Sequence, residues 1–218
     1  MSRRFALLLC ALPLPLITGC PRQVGMPVDG STMSTPDAFV GDAGVGPAPD
    51  NGYRGAITFD DARLRVIDPR VLATGSSPCR APVLGEVYAV TDGDTIRVDG
   101  VSEVFNAPVR MIGIDTPEIS HDGMPAECFG NEARDFTEQL EGHLVYLTFD
   151  AECFDRFDRV LAYVHIGTGE GDMWERQMLR RGYATELGVG ANRTWESSFR
   201  ADEAAARAAN EGLWSACR

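Results

Sequence analysis

Three short stretches of this 218-residue chain carry side chains of the types that phosphate chemistry requires. "DGDT" holds Asp92 and Asp94, and "VRMIGIDTPEIS" (109–120) sets Arg110, Asp115 and Glu118 around the end of an apolar run. "DRFDRVLAYV" (155–164) places Asp155, Arg156, Asp158 and Arg159 ahead of another apolar run. Asp94 and Asp115 are hard oxygen ligands, suited to Ca²⁺ or Mg²⁺ and not to zinc. Arg110 and Arg159 can each give bidentate hydrogen bonds to phosphate oxygens. Glu118 is a further carboxylate able to orient or deprotonate a water. A divalent cation, two guanidiniums and a base match the needs of phosphodiester hydrolysis: charge stabilisation on a pentacoordinate phosphorus and an activated water.

Taken singly, each stretch has a plainer reading. Asp-Gly is a common turn pair, Asp115-Thr116-Pro117 reads as a strand followed by a turn, and the third run reads as a solvated charged loop. The first is a poor EF-hand loop, because Arg97 stands where an invariant glycine belongs. Strand alternation also sets Arg110 and Asp115 on opposite faces, since their separation is odd. They converge only if the strand ends or bulges near Gly113.

The elements that must position these groups follow from the pattern. "GEVYAVT" and "DTIRVDG" flank the turn as two strands of a hairpin, and "VFNAPVRMIGI" reads as a third strand closed by Pro117. "GNEARDFTEQLEG" puts Ala133, Phe136 and Leu140 on one helical face and ends at Gly142. "HLVYLTF" and "RVLAYVHI" are two more strands. "DMWERQMLRRG" reads as a helix capped by Asp172 and stopped by Gly182, and "ESSFRADEAAARAANEGLW" as an alanine-rich helix closed by Gly212. Five short strands with a helix after the third suit a small closed barrel of α+β class better than a parallel sheet. Ahead of it, "AITF" and "LRVI" could be short strands within residues 53–83, an extension whose place in the fold the sequence leaves open.

The N-terminus reads as a targeting segment. Arg3 and Arg4 precede the short apolar run "FALLLCALPLPLITG", which ends at Cys20 in the manner of a bacterial lipobox. That implies a signal peptide over 1–19 and lipid attachment at Cys20; the alternative is an ordinary secretory signal that abuts a cysteine. Residues 20–52, rich in Gly, Pro, Ser and Asp, read as a flexible tether. The expectation is an exported, lipid-anchored monomer of the bacterial cell envelope. Net charge is -12, and all positive side chains are arginine, which argues against a nonspecific nucleic-acid coat protein. Cys79, Cys128, Cys153 and Cys217 suggest two disulfides, with three possible connectivities. No spacing suits zinc.

The order "DGDT", "RMIGIDTPE", "DRFDRVLAYV", with an intervening helix, closely resembles the staphylococcal nuclease (thermonuclease) family over roughly Leu84 to Trp214. The resemblance implies a nuclease domain over 84–218, built as a five-stranded OB-fold barrel with three helices. It also implies Ca²⁺-dependent hydrolysis of DNA and RNA at the 5′ P–O bond, leaving 3′-phosphates. By motif, Asp94, Asp115 and the Thr116 carbonyl would bind Ca²⁺, Glu118 would act on water, Arg110 and Arg159 would clamp the phosphate, and Asp92 would support them from behind. Phe157-Asp158 departs from the family's usual Tyr-Gly, Gly188 falls where the best-known relative stacks a tyrosine on a base, and Arg156 would replace absent lysines on substrate phosphate. From the layout around this site, Cys128–Cys153 and Cys79–Cys217 are the expected disulfides. The competing readings are a non-catalytic OB-fold module binding nucleic acid or oligosaccharide, and an envelope scaffold; neither accounts for all five charged site residues.

Overall fold

The computed structural model describes residues 55–101, 106–121 and 123–217. The expected signal 1–19, the tether 20–52 and Cys20 lie outside these residues. Strands β1 (Val83–Asp92), β2 (Thr95–Asp99), β3 (Ala107–Met111), β5 (Leu144–Thr148) and β6 (Val160–His165) close into a barrel in the order β1-β2-β3-β6-β5. A pair of two-residue strands, β4 (Ile114–Asp115) and β7 (Thr185–Glu186), lies beside it. Alternation drives the closure: Val87, Ile96, Val98, Val109, Leu147 and Val164 are fully buried. Each such side chain contributes about 1.5–3 kcal/mol of burial. β3 and β6 pair in parallel, with Val109 opposite Val160 and Arg110 opposite Leu161. The remaining barrel pairs are antiparallel.

Helices α2 (Gly130–Thr137), α3 (Trp174–Arg180) and α4 (Glu196–Ala208) occupy the expected segments, joined by the short α1 (Asp61–Leu64) and α5 (Leu213–Ala216). Ala133 and Phe136 of α2 and Trp174, Met178 and Leu179 of α3 enter the main core. The expected helix over 130–142 ends sooner, continuing as a 3₁₀ turn through Leu140 before Gly142 turns the chain with φ +78°. Asp172 does not cap α3. Its carboxylate accepts from the Gly169 N–H at 2.7 Å, and Met173 occupies the cap position without a side-chain bond.

Two local expectations give way to packing. "AITF" and "LRVI" are not strands: Asp60 accepts the Arg63 N–H at 2.9 Å and starts α1, which turns Leu64 inward. Leu64 and Leu72 then form an apolar cluster with Leu144 and Tyr146 on β5. The third run divides in two, because Gly113 adopts φ +81° between β3 and β4. A Cβ there would lie 2.7 Å from the Phe199 ring, so the break requires glycine.

The disulfides are Cys79–Cys153 and Cys128–Cys217, and neither of the expected pairings forms. Cys79 donates its N–H to the Asp150 carbonyl at 2.7 Å, which carries the N-terminal segment alongside the loop of Cys153. At the other end, the Leu213 N–H bonds the Gly182 carbonyl at 2.8 Å, and the adjacent Tyr183 ring stacks on Phe129. That path delivers α5 and Cys217 to Cys128 at the start of α2. Long-range backbone pairing decides both bridges, and chain layout does not reveal it.

Candidate active site

Asp94 sits in the β1–β2 turn, buried by the fold around it. Its Oδ1 accepts the Thr95 hydroxyl at 3.0 Å, and its Oδ2 accepts the N–H and Oγ1 of Thr116 at 3.0 and 3.2 Å. Gly93 makes this approach possible, since a Cβ there would meet the Thr116 side chain at 2.7–2.9 Å. Arg110 projects from β3 and donates from Nη1 to the Met111 and Ile114 carbonyls at 3.1 and 2.9 Å. Its two terminal nitrogens also pair with Asp94 Oδ2 at 3.0 Å and Asp115 Oδ1 at 2.9 Å. The break at Gly113 thus brings Arg110 and Asp115 together despite their odd spacing.

Arg159 enters from the loop before β6. Asp155 holds it twice, accepting the Arg159 N–H at 3.0 Å and its Nε at 2.7 Å. Asp92, Asp94, Arg110, Asp115, Glu118 and Arg159 line one cleft of about 440 Å³. All six come from the three motifs, and the fold gathers them. Thr116 stands behind Asp94 and fixes that carboxylate through its N–H and hydroxyl. Arg156 and Phe157 lie in a neighbouring cavity of about 650 Å³, shared with Arg110, Arg159, Leu187 and Val189. There the Arg156 guanidinium stacks on the exposed Phe157 ring at 4.6 Å. Gly188 brings no ring to this wall, which Leu187 and Val189 supply.

Carboxylate crowding is the main electrostatic feature. Desolvation raises the pKa of Asp115 above the ordinary range; Arg110 opposes the rise, and Asp94, Glu127 and Asp92 add to it. Glu118 is also raised, first by desolvation and then by Asp92 and Asp94, while His121 pulls it down. A divalent cation would relieve this repulsion, and the donor set is all oxygen, as Ca²⁺ and Mg²⁺ prefer. Among the described residues no three His, Cys, Asp or Glu side chains converge as a metal cluster. An ion here would therefore rest on the Asp94 and Asp115 carboxylates and complete its sphere with carbonyl and water oxygens. The residues fit a hard divalent ion on those terms.

Two residues take supporting roles that the motifs alone do not assign. Asp155, part of the third charged stretch, meets Arg159 through the turn in which the Asp158 N–H bonds the Asp155 carbonyl at 3.2 Å. Glu127 gave no signal: its Oε2 accepts the Glu118 N–H at 3.1 Å across a nine-residue gap, and no local pattern announces that.

The family profile described as Staphylococcal nuclease homologue matches residues 108–216. Thermonuclease of Staphylococcus hyicus is 34% identical over 131 residues, covering 60% of this chain and 75% of that protein. Thermonuclease of Staphylococcus intermedius is 37% identical over 106 residues, covering 47% and 60%. Endonuclease Htp3 of Saprolegnia parasitica is 31% identical over 149 residues, covering 60% and 69%. The profile spans half of the chain, and three quarters of the Staphylococcus hyicus protein is matched, so the chain belongs to the family of staphylococcal nuclease homologues.

Proposed function

We propose that this chain is a Ca²⁺-dependent nuclease that hydrolyses phosphodiester bonds of DNA or RNA at the 5′ P–O bond and leaves 3′-phosphates. The observation that carries the reading is the single cleft in which Arg110 spans Asp94 and Asp115 while Glu118 and Arg159 face the same space. The names of the relatives, thermonuclease and endonuclease, support it.

A divalent cation held by Asp94, Asp115 and the Thr116 carbonyl would draw charge from a non-bridging phosphate oxygen and polarise water. Glu118 accepts a proton from that water or orients it. Arg110 and Arg159 donate to the phosphate oxygens as charge builds on phosphorus. Water adds to phosphorus, the bond to the 5′ oxygen breaks, and that oxygen leaves as a hydroxyl after taking a proton. Arg156 and Phe157 extend contact along the strand beyond the reacting phosphate.

We further propose that the chain is exported and held at the membrane by lipid on Cys20, with 20–52 as a tether. Plasmid digestion with Ca²⁺, with chelator, and by Glu118→Gln and Arg159→Ala tests the catalytic reading. Cleavage that needs the cation and falls at least about 100-fold in both variants supports it. Chelator-resistant cleavage, or variants equal to wild type, would contradict it. A Cys20→Ser chain that still partitions with membranes would contradict the anchor.

A further inference from the structure

We propose that Glu127 is a positioning residue for Glu118, locking the backbone from which the Glu118 carboxylate reaches the cleft. The inference rests on the nuclease reading above. Glu118 and Glu127 close a ring of two hydrogen bonds: the Glu118 N–H donates to Glu127 Oε2 at 3.1 Å, and the Glu127 N–H donates to the Glu118 carbonyl at 2.8 Å. Between them, Ser120, His121, Gly123, Met124 and Pro125 are exposed, and the Met124 N–H bonds the His121 carbonyl at 2.8 Å.

Two neighbours hold Glu127 in place, Gly130 and Cys128. The Gly130 N–H donates to the Glu127 carbonyl at 3.1 Å. Gly130 itself lies so close beneath Glu118 that a Cβ would meet the Glu118 carbonyl oxygen. The next residue, Cys128, is bonded to Cys217 at the end of α5. Glu127 therefore sits in the turn that leads into α2, next to a covalent bridge, while its side chain reaches back to Glu118. A rigid element is thus connected to a residue that stands on a loop.

The bond matters to rate far more than to stability. One exposed hydrogen bond contributes little to folding, because water takes its place when it breaks. A catalytic group displaced by about 1 Å can lose roughly 100-fold in rate. Glu127 also adds negative charge near Asp115, so a purely electrostatic role is the competing account. Glutamine separates the two, because its amide oxygen accepts the Glu118 N–H but carries no charge.

The test compares Glu127→Ala and Glu127→Gln with wild type in the full chain, measuring kcat, KM, thermal midpoint and hydrogen exchange of the Glu118 amide. Glu127→Ala is expected to lose about 10–100-fold in kcat with KM little changed, while the midpoint moves by less than about 4 °C. Its Glu118 amide should exchange faster, whereas Glu127→Gln keeps both protection and kcat within about 3-fold of wild type. An alanine variant with wild-type kcat, or a glutamine variant as impaired as alanine, overturns the proposal. So does an unchanged Glu118 exchange rate in Glu127→Ala, a readout that needs no turnover. A wild-type chain that cleaves nothing fails the nuclease reading, a result distinct from all of these.

Discussion

One guanidinium joins the two candidate metal-binding carboxylates: Arg110 reaches Asp94 with Nη1 at 3.0 Å and Asp115 with Nη2 at 2.9 Å. The planar fork spans both acids, and a lysine ammonium cannot, being a single point charge. Arg110→Lys is expected to lose at least about 100-fold in kcat/KM. Stability should fall by about 1–3 kcal/mol, less than for a fully buried pair because the Asp115 side chain is half exposed. Urea unfolding and steady-state kinetics check both, and wild-type values in either would show that the bridge is idle.

Asp158 adopts φ +61°, the left-handed region where glycine is at ease. Asp158→Gly relieves that strain but gives the unfolded chain more freedom, so stability should change by no more than about 0.5 kcal/mol. The charge beside Arg159 disappears, and KM for DNA should fall about 2–5-fold at low salt. An unchanged KM would show that Asp158 does not oppose substrate.

Stability should depend on pH through two buried groups. Burial raises Glu175 to about 8 and lowers His165 to about 4. For Glu175, the folded pKa exceeds the unfolded one near 4.5, so its contribution is intact below that pH and is lost as pH rises towards 8. For His165, whose unfolded pKa is near 6.5, the contribution is intact above that pH and is lost as pH falls towards 4. The two slopes oppose each other between about 4.5 and 6.5 and leave only the Glu175 loss above. Glu175→Gln should therefore flatten the decline in unfolding free energy from pH 6.5 to 8; a decline as steep as in wild type would exclude Glu175 as its source.

The sequence carried the strands, the helix faces and the charged cleft because each rests on local periodicity or on motif spacing. Gly113 was legible as the place where β3 must break, since only that break unites Arg110 with Asp115. What sequence left dark depends on contacts far along the chain. The cap of α1 by Asp60 won over the β-branched residues of "AITF" and "LRVI", because Leu64 finds Leu144 and Tyr146 across more than 70 positions. Glu127 meets Glu118 through tertiary folding of a loop. The cysteine partners follow from the Cys79–Asp150 and Gly182–Leu213 hydrogen bonds, which no spacing encodes.

Non-reducing peptide mapping should recover Cys79 joined to Cys153 and Cys128 joined to Cys217. Loss of either bridge by serine substitution should cost about 2–4 kcal/mol of stability, since the cysteines are 74 and 89 positions apart. Each bridge also steadies a loop that carries a site residue, Arg159 in one case and Glu118 in the other. Activity at a temperature where the variants remain folded should consequently fall as well, and full activity there would limit the bridges to stability alone.

The two bridges interleave along the chain, with Cys128 falling inside the span from Cys79 to Cys153 and Cys153 inside that from Cys128 to Cys217. A protease that cuts once anywhere between Cys79 and Cys217 would leave both pieces covalently joined. Arg110, Glu118 and Arg159 would stay on one body after such a nick, and the cut would show on a gel only after reduction.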